Sequence, residues 1–207
     1  MTDKPTGREF RISTETWPTE DVILRADAPD GMTFSGYAAV FNSFSVDIGG
    51  FREIIRPGAF ASSLRKTPDV RFLINHDGLP LARTPKTLVI YEDQRGLKVE
   101  ANLDPNDPDV MRLKPKMDRG DVDQMSFAFR TISDSWRTER GEQIRELHEV
   151  DIDGGDVSIV TYPAYPATEA ALRSLEAWKQ EAQRASQAHL EAAHQHRDRM
   201  LRLQERQ

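Results

Sequence analysis

The run Val70-Arg71-Phe72-Leu73-Ile74-Asn75-His76-Asp77 alternates, and as a strand it puts Val70, Phe72, Ile74 and His76 on one face. The His76 imidazole then leaves the chain at the end of an apolar face, where the strand gives way to Gly78 and Pro80. A side chain held in that way is rigid yet can reach a cleft, which suits a general base working near neutral pH. The same position also suits a structural histidine bonded to backbone groups. Ser126 begins the apolar, aromatic run Ser126-Phe127-Ala128-Phe129, shortly after the turn Gly120-Asp121. Its hydroxyl can project into a groove, and beside a base it can act as a nucleophile. Read alone, a serine in a strand is usually just a small polar residue.

A third member, an acid that orients and stabilises the imidazole, is available in Glu146-Leu147-His148-Glu149-Val150-Asp151-Ile152-Asp153-Gly154-Gly155-Asp156-Val157-Ser158. Asp156 opens a strand there. Clustered Asp and Gly residues also make ordinary turns, and Asp151-Ile152-Asp153-Gly154 has the outline of a calcium loop. That loop needs a bidentate Glu about six positions after its Gly, and Val160 stands there instead.

Other chemistries lack their residues. The chain has no Cys, which removes thiolate metal sites, disulfides and a cysteine nucleophile, and fits folding in a reducing cytoplasm. There is no His-Glu-x-x-His, and His189, His194 and His196 fall on a polar C-terminal stretch. Gly49-Gly50 and Gly154-Gly155 lack the spacing and the following Lys of a phosphate loop, and no Gly-x-Ser-x-Gly elbow occurs. No cofactor is expected. A net charge of -6 argues against a nucleic-acid partner. No apolar run of about eighteen residues is present and the start lacks a signal-like segment, so no membrane partner is expected either.

The elements that must position these residues are mostly strands. Short alternating runs separated by turn residues occupy Glu9–Ile12, Val22–Ala26, Thr33–Phe41, Phe51–Ile55, Val70–His76, Thr87–Tyr91, Leu97–Leu103, Gln124–Ile132, Glu142–Ile152 and Asp156–Thr161. Leu97, Val99, Ala101 and Leu103 share one face of the clearest hairpin. Phe60 and Leu64 stack on a short helix within 57–64. Asp107-Pro108-Asp109 supplies the cap, first-turn proline and first-turn acid of a second helix running towards Arg119, in which Pro115 should cause a kink or an early stop.

The 207 residues divide into a disordered N-terminus over 1–8, a β-rich main domain over 9–167 and a helical tail over 168–207. The tail has no Gly or Pro, and its apolar stripe of Leu172, Leu175, Trp178, Ala182, Ala185, Met200 and Leu203 is weak. It reads equally as a solvated helix docked by its first turns and as an arm for self-association or scaffold contact.

Five stretches stand in order along the chain: Gly36-Tyr37-Ala38-Ala39-Val40-Phe41-Asn42, Phe51-Arg52-Glu53-Ile54-Ile55-Arg56-Pro57-Gly58-Ala59-Phe60, Asn75-His76-Asp77 with Pro80-Leu81-Ala82-Arg83-Thr84, Arg119-Gly120-Asp121-Val122-Asp123-Gln124-Met125-Ser126-Phe127-Ala128-Phe129, and Asp156-Val157-Ser158-Ile159-Val160-Thr161-Tyr162-Pro163-Ala164-Tyr165-Pro166. Taken together they resemble the tailed-bacteriophage prohead protease family, the capsid-maturation serine proteases distantly related to herpesvirus assemblin. The resemblance implies Ser126 as nucleophile and His76 as base. For the third member it implies Asp156 first, the acid before the last Val-Ser. Glu149 comes second, because Gly154-Gly155 resembles an insertion. His148 is third, because the herpesvirus enzymes use a second histidine. The implied fold is mainly β with flanking helices (α+β), a compact herpesvirus-protease-like β-barrel plus a C-terminal helix. The implied activity is a serine endopeptidase that cleaves the scaffolding segment of a phage major capsid protein, and itself, inside the immature prohead in the host bacterial cytoplasm. A non-catalytic capsid scaffold or assembly protein and a small β-barrel esterase are the rival readings.

Overall fold

The computed structural model describes residues 8–12, 23–28, 31–161 and 169–204. In chain order the elements are β1 (Glu9–Ile12), β2 (Ile23–Ala28), β3 (Gly31–Val40), β4 (Phe51–Ile55), α1 (Ala61–Leu64), β5 (Arg71–Ile74), β6 (Asp77–Arg83), β7 (Leu88–Glu92), β8 (Gly96–Leu103), α2 (Pro108–Asp118), β9 (Gln124–Glu139), β10 (Glu142–Asp151), β11 (Asp156–Val160) and α3 (Glu169–Gln204). The class is α+β and mostly strand, as expected. The strands form two sheets rather than a closed barrel among the described residues. Seven strands take the order β4-β10-β9-β11-β5-β6 with β1 also on β9, and four take the order β2-β3-β8-β7.

The core follows from strand parity. Phe127 and Phe129 of β9 point inward with Phe72 of β5 and Phe34 of β3, all fully buried, and Phe34 packs on Phe72 at 4.6 Å between ring centroids. Leu97, Val99, Ala101 and Leu103 line the inner face of β8, the face that the alternation assigns them. This shared apolar filling joins the two sheets and accounts for most of the stability that burial supplies.

Three elements differ from the sequence expectation. β9 continues past Ile132 to Glu139, because Asp134, Arg137 and Glu139 face solvent or ion partners while the backbone pairs with β10. β6 was not expected, since Gly78 and Pro80 read as a turn. It lies at the end of its sheet, where a proline without an N–H is tolerated. α2 runs through Pro115 to Asp118 without stopping. Val110, Leu113 and Met117 hold its inner face, and Pro115 lies on the exposed one, so the lost backbone bond is left to water.

The first turns of α3 dock on the sheet. Ala171 and Leu175 are buried against Ile48 and Phe51, and the Trp136 indole donates to Ser174 Oγ at 3.0 Å. Beyond Trp178 the described side chains are exposed. The expected disordered N-terminus over 1–8 lies outside the described residues except for Arg8, and so does the expected boundary between main domain and tail at 167–168. No described helix is long and apolar enough to cross a membrane.

Candidate active site

His76 owes its aim to a turn, which corrects the strand reading. β5 ends at Ile74, whose partner is Asp77 on β6, so Asn75 and His76 form a two-residue hairpin turn with φ of +53° and +60°. Two positive φ values in a two-residue turn are the type I′ signature. Asn suits this conformation well, and His more than most residues, but glycine suits the second place best. The turn is held from β11: Asn75 N–H donates to the Ile159 carbonyl at 2.8 Å, and Asn75 Oδ1 accepts from the Thr161 N–H at 2.9 Å. The His76 backbone N–H donates to Ser158 Oγ at 3.2 Å.

Ser126 and Ser158 stand directly opposite each other on antiparallel β9 and β11 and therefore share a face, while Phe127 and Val157 face the core. Asp156 has the parity of Ser158 and joins that face. The sharp entry into β11 depends on glycine. Gly154 has φ +65°, and a Cβ on Gly155 would come within 2.5 Å of the Ala128 carbonyl oxygen. That close approach is the physical role of the Gly154-Gly155 pair.

The three elements bring one relay together. His76 Nε2 lies 2.7 Å from Ser126 Oγ, and His76 Nδ1 lies 2.5 Å from Asp156 Oδ2. A carboxylate only accepts, so in the neutral ring Nδ1 carries the proton and Nε2 accepts from the Ser126 hydroxyl. Ser158 Oγ donates to the same Asp156 oxygen at 2.6 Å and fixes the carboxylate that orients the ring. The His76 and Asp156 side chains are 10% and 11% exposed, so little solvent competes with these bonds. The arrangement can move a proton from a hydroxyl to an imidazole whose charge a carboxylate then balances. Ser126 Oγ has a second acceptor, the Arg11 carbonyl oxygen at 2.9 Å.

The other residues considered for the third place lie elsewhere. His148 Nε2 is 2.7 Å from Ser135 Oγ, and Glu149 sits at a bulge of β10 opposite Ser133. Asp151 pairs with Arg130 and accepts from Ser63, so the calcium-like outline is a turn held by protein groups. Among the described residues no His, Asp and Glu cluster could hold a metal ion.

Two features escaped the sequence reading. Ser158 had the parity of Asp156 as its signal, but nothing local showed that a histidine backbone would reach it. The second is a buried ionic cluster around β1. Arg145, fully buried, donates to Glu9 at 2.8 Å, Glu53 at 2.9 Å, Asp134 at 2.7 Å and Thr131 at 3.1 Å. Arg11 pairs with Glu53 and with Glu9. Burial pushes the Glu9 carboxyl up, but Arg145 and Arg11 outweigh it and hold Glu9 below the ordinary glutamate range. The readable signal was charge at inward parity: Glu53 alternates with Phe51, and Arg145 with Leu147.

The chain resembles known proteins over most of its length. It is 29% identical over 157 residues to the prohead protease of Enterobacteria phage HK97, covering 74% of this chain and 64% of that protein. The chain thus spans a little under two thirds of that relative. A solved structure, the bacteriophage T4 capsid assembly protease, aligns over 73% of this chain and 98% of its own, with 13% identity and a TM-score of 0.42. The family model of the caudovirus prohead serine proteases matches residues 20–181, most of the chain, and the chain belongs to that family.

Proposed function

We propose that the protein is a serine endopeptidase of capsid maturation, with Ser126 as nucleophile, His76 as general base and Asp156 as the acid that orients it. The observation that carries this reading is the unbroken relay from Asp156 Oδ2 through both ring nitrogens of His76 to Ser126 Oγ. Family membership supports the reaction class.

In this mechanism Ser126 Oγ attacks a peptide carbonyl as His76 Nε2 takes its proton. Asp156 keeps the proton of Nδ1 in place and balances the imidazolium, with Ser158 as a positioning residue behind it. His76 returns the proton to the leaving amine, which departs and leaves an acyl-enzyme on Ser126. Water, deprotonated by the same histidine, then releases the acid and restores the hydroxyl. The substrate is the scaffolding segment of a phage major capsid protein, and the chain cleaves itself as well. Both reactions take place inside an immature prohead in the host bacterial cytoplasm.

Ser126→Ala co-expressed with the capsid protein should leave that protein at its precursor size on a gel, with processing slowed by ~10⁴-fold or more. Normal processing would remove Ser126 from the mechanism. The complete burial of Ser126 favours the rival reading of a non-catalytic assembly protein. Fluorophosphonate labelling of Ser126 separates that rival from a hydrolase, and sequencing of peptide products separates an endopeptidase from an esterase.

A further inference from the structure

At Ser126 and Phe127, β9 pairs with both β11 and β1, so the two strands occupy opposite edges of β9 beside the relay. β11 delivers Asp156 and Ser158. β1 runs antiparallel, with Glu9 opposite Phe129 and Ile12 opposite Ser126. Its Arg11 carbonyl accepts from Ser126 Oγ at 2.9 Å, and the Phe10 ring meets the His76 ring edge-on at 4.7 Å. With β1 in place Ser126 is 0% exposed, and no peptide carbonyl can approach it. The Ser126 hydroxyl has one proton, and the Arg11 carbonyl competes with His76 Nε2 for it.

The side chains of β1 explain its hold. Arg11 and Glu9 point away from the relay into a buried recess whose walls are Glu53, Asp134, Arg145, Thr131 and Phe129. Glu9 meets Arg145 and Thr131, and Arg11 pairs with Glu53 with its guanidinium 5.5 Å from the centre of the Phe129 ring. Without β1, two carboxylates would face one guanidinium there. The recess therefore has an excess of negative charge and calls for a cation. A planar guanidinium matches a carboxylate beside an aromatic ring better than an ammonium does.

We infer that β1 is an intramolecular occupant of the substrate slot, that an extended peptide binds by adding itself to the same edge of β9, and that Glu53 selects an arginine side chain at the position Arg11 now fills. Main-chain pairing along an open edge supplies general affinity for extended segments, and the recess supplies the choice among them. The protein is then made closed, and its reactivity appears when β1 leaves the edge. This inference rests on the proposed endopeptidase reading, because it assigns that site its substrate class and its regulation.

The test uses the full chain with two readouts: the rate of fluorophosphonate labelling of Ser126, and hydrolysis of two extended peptides that differ only in Arg or Ala at the selected position. Arg11→Glu sets a carboxylate against Glu53 and should release β1, raising labelling by at least ~10-fold. Phe10→Ala leaves the ion pairs intact, uncovers His76 and should raise labelling by a smaller factor, which guards against a folding failure of the first variant. In the Arg11→Glu background the Arg peptide should be cleaved with at least ~10-fold higher kcat/KM, and adding Glu53→Gln should erase that preference. Equal labelling of the parent and both variants would overturn the occupant. Equal hydrolysis of the two peptides, or a preference indifferent to Glu53→Gln, would overturn the pocket. Folded protein that neither labels nor cleaves in any variant has a different signature and takes down the endopeptidase reading itself.

Discussion

Two hairpins of the same sheet solve the same backbone problem with different residues. β9 and β10 turn through Arg140 and Gly141, with φ of +51° and +86° and Glu139 opposite Glu142. β5 and β6 turn through Asn75 and His76, also both at positive φ. The first places glycine at its second position, behind the left-handed Arg140, and its charges work in the body of the strands, where Asp134 and Arg145, the latter bonded to Thr131, form the buried cluster. The second places an imidazole in the strained position. A left-handed conformation costs a non-glycine residue about 1–2 kcal/mol. The bonds to Ser158, Ile159 and Thr161 offset that cost and aim His76 between Asp156 and Ser126. The two turns part at the second position: a glycine there relieves strain and serves the fold, and a histidine there is strained and serves the site.

The largest expected effect tests that contrast directly. His76→Gly should fit its turn better and lose the proposed base, so proteolysis falls by ~10⁴-fold or more while the unfolding stability in urea stays within about 1 kcal/mol of the parent. A variant that unfolds instead would mean the histidine is structural. Next comes the cluster carried by the glycine-bearing hairpin. Arg145→Met leaves Glu9 and Glu53 buried without their main partner and should lower unfolding stability by about 3–5 kcal/mol in a denaturant titration. A loss below about 1 kcal/mol would show that the cluster is not holding the sheet.

A smaller change belongs to the turn itself. Gly141→Ala should cost about 1 kcal/mol and leave fluorophosphonate labelling unchanged, since the strain falls far from His76. A drop in labelling without unfolding would couple the two hairpins and blur the distinction between them.

The finest test is pH. Glu9 is held below the usual value of 4.5, against its burial, by Arg145 and Arg11, and Glu146 is pulled to about 2 by its bonds to Arg56, against partial burial, and by Arg137. Both carboxylates are depressed in the folded state, so their stabilisation is complete above 4.5 and fades as pH falls through the lower folded values. The parent midpoint should therefore decline steadily below pH 4.5, and Arg145→Met should reduce the part due to Glu9, which keeps Arg11, while the Glu146 part persists down to about pH 2. Identical pH profiles for the two proteins would detach Glu9 from Arg145.

Local rules read some elements well because a neighbour in sequence decides them. Asp107 caps α2 and accepts the Asp109 N–H at 2.8 Å, as the cap and proline signals announce. The inner face of β8 is a matter of parity alone. Rules of the same range failed at β6, where Pro80 reads as a turn until the strand is known to be at the sheet end, and at β9, where charges hide a strand that its partner completes. Parity points to His76 as a candidate, yet the structure aims it by a turn whose anchors lie more than eighty positions away, on β11 and just after it.

The amino-acid order by itself determined the strand-rich class, the presence of a histidine, a serine and an acid in segments of the right character, and the absence of any cysteine chemistry. Tertiary structure alone decided which acid meets the imidazole, that Ser158 steadies it, and that β1 lies across Ser126. The reason is range. Periodicity and capping act over a few residues, whereas hydrogen bonds and ion pairs form between groups that only the packing of two sheets brings within 3 Å of each other.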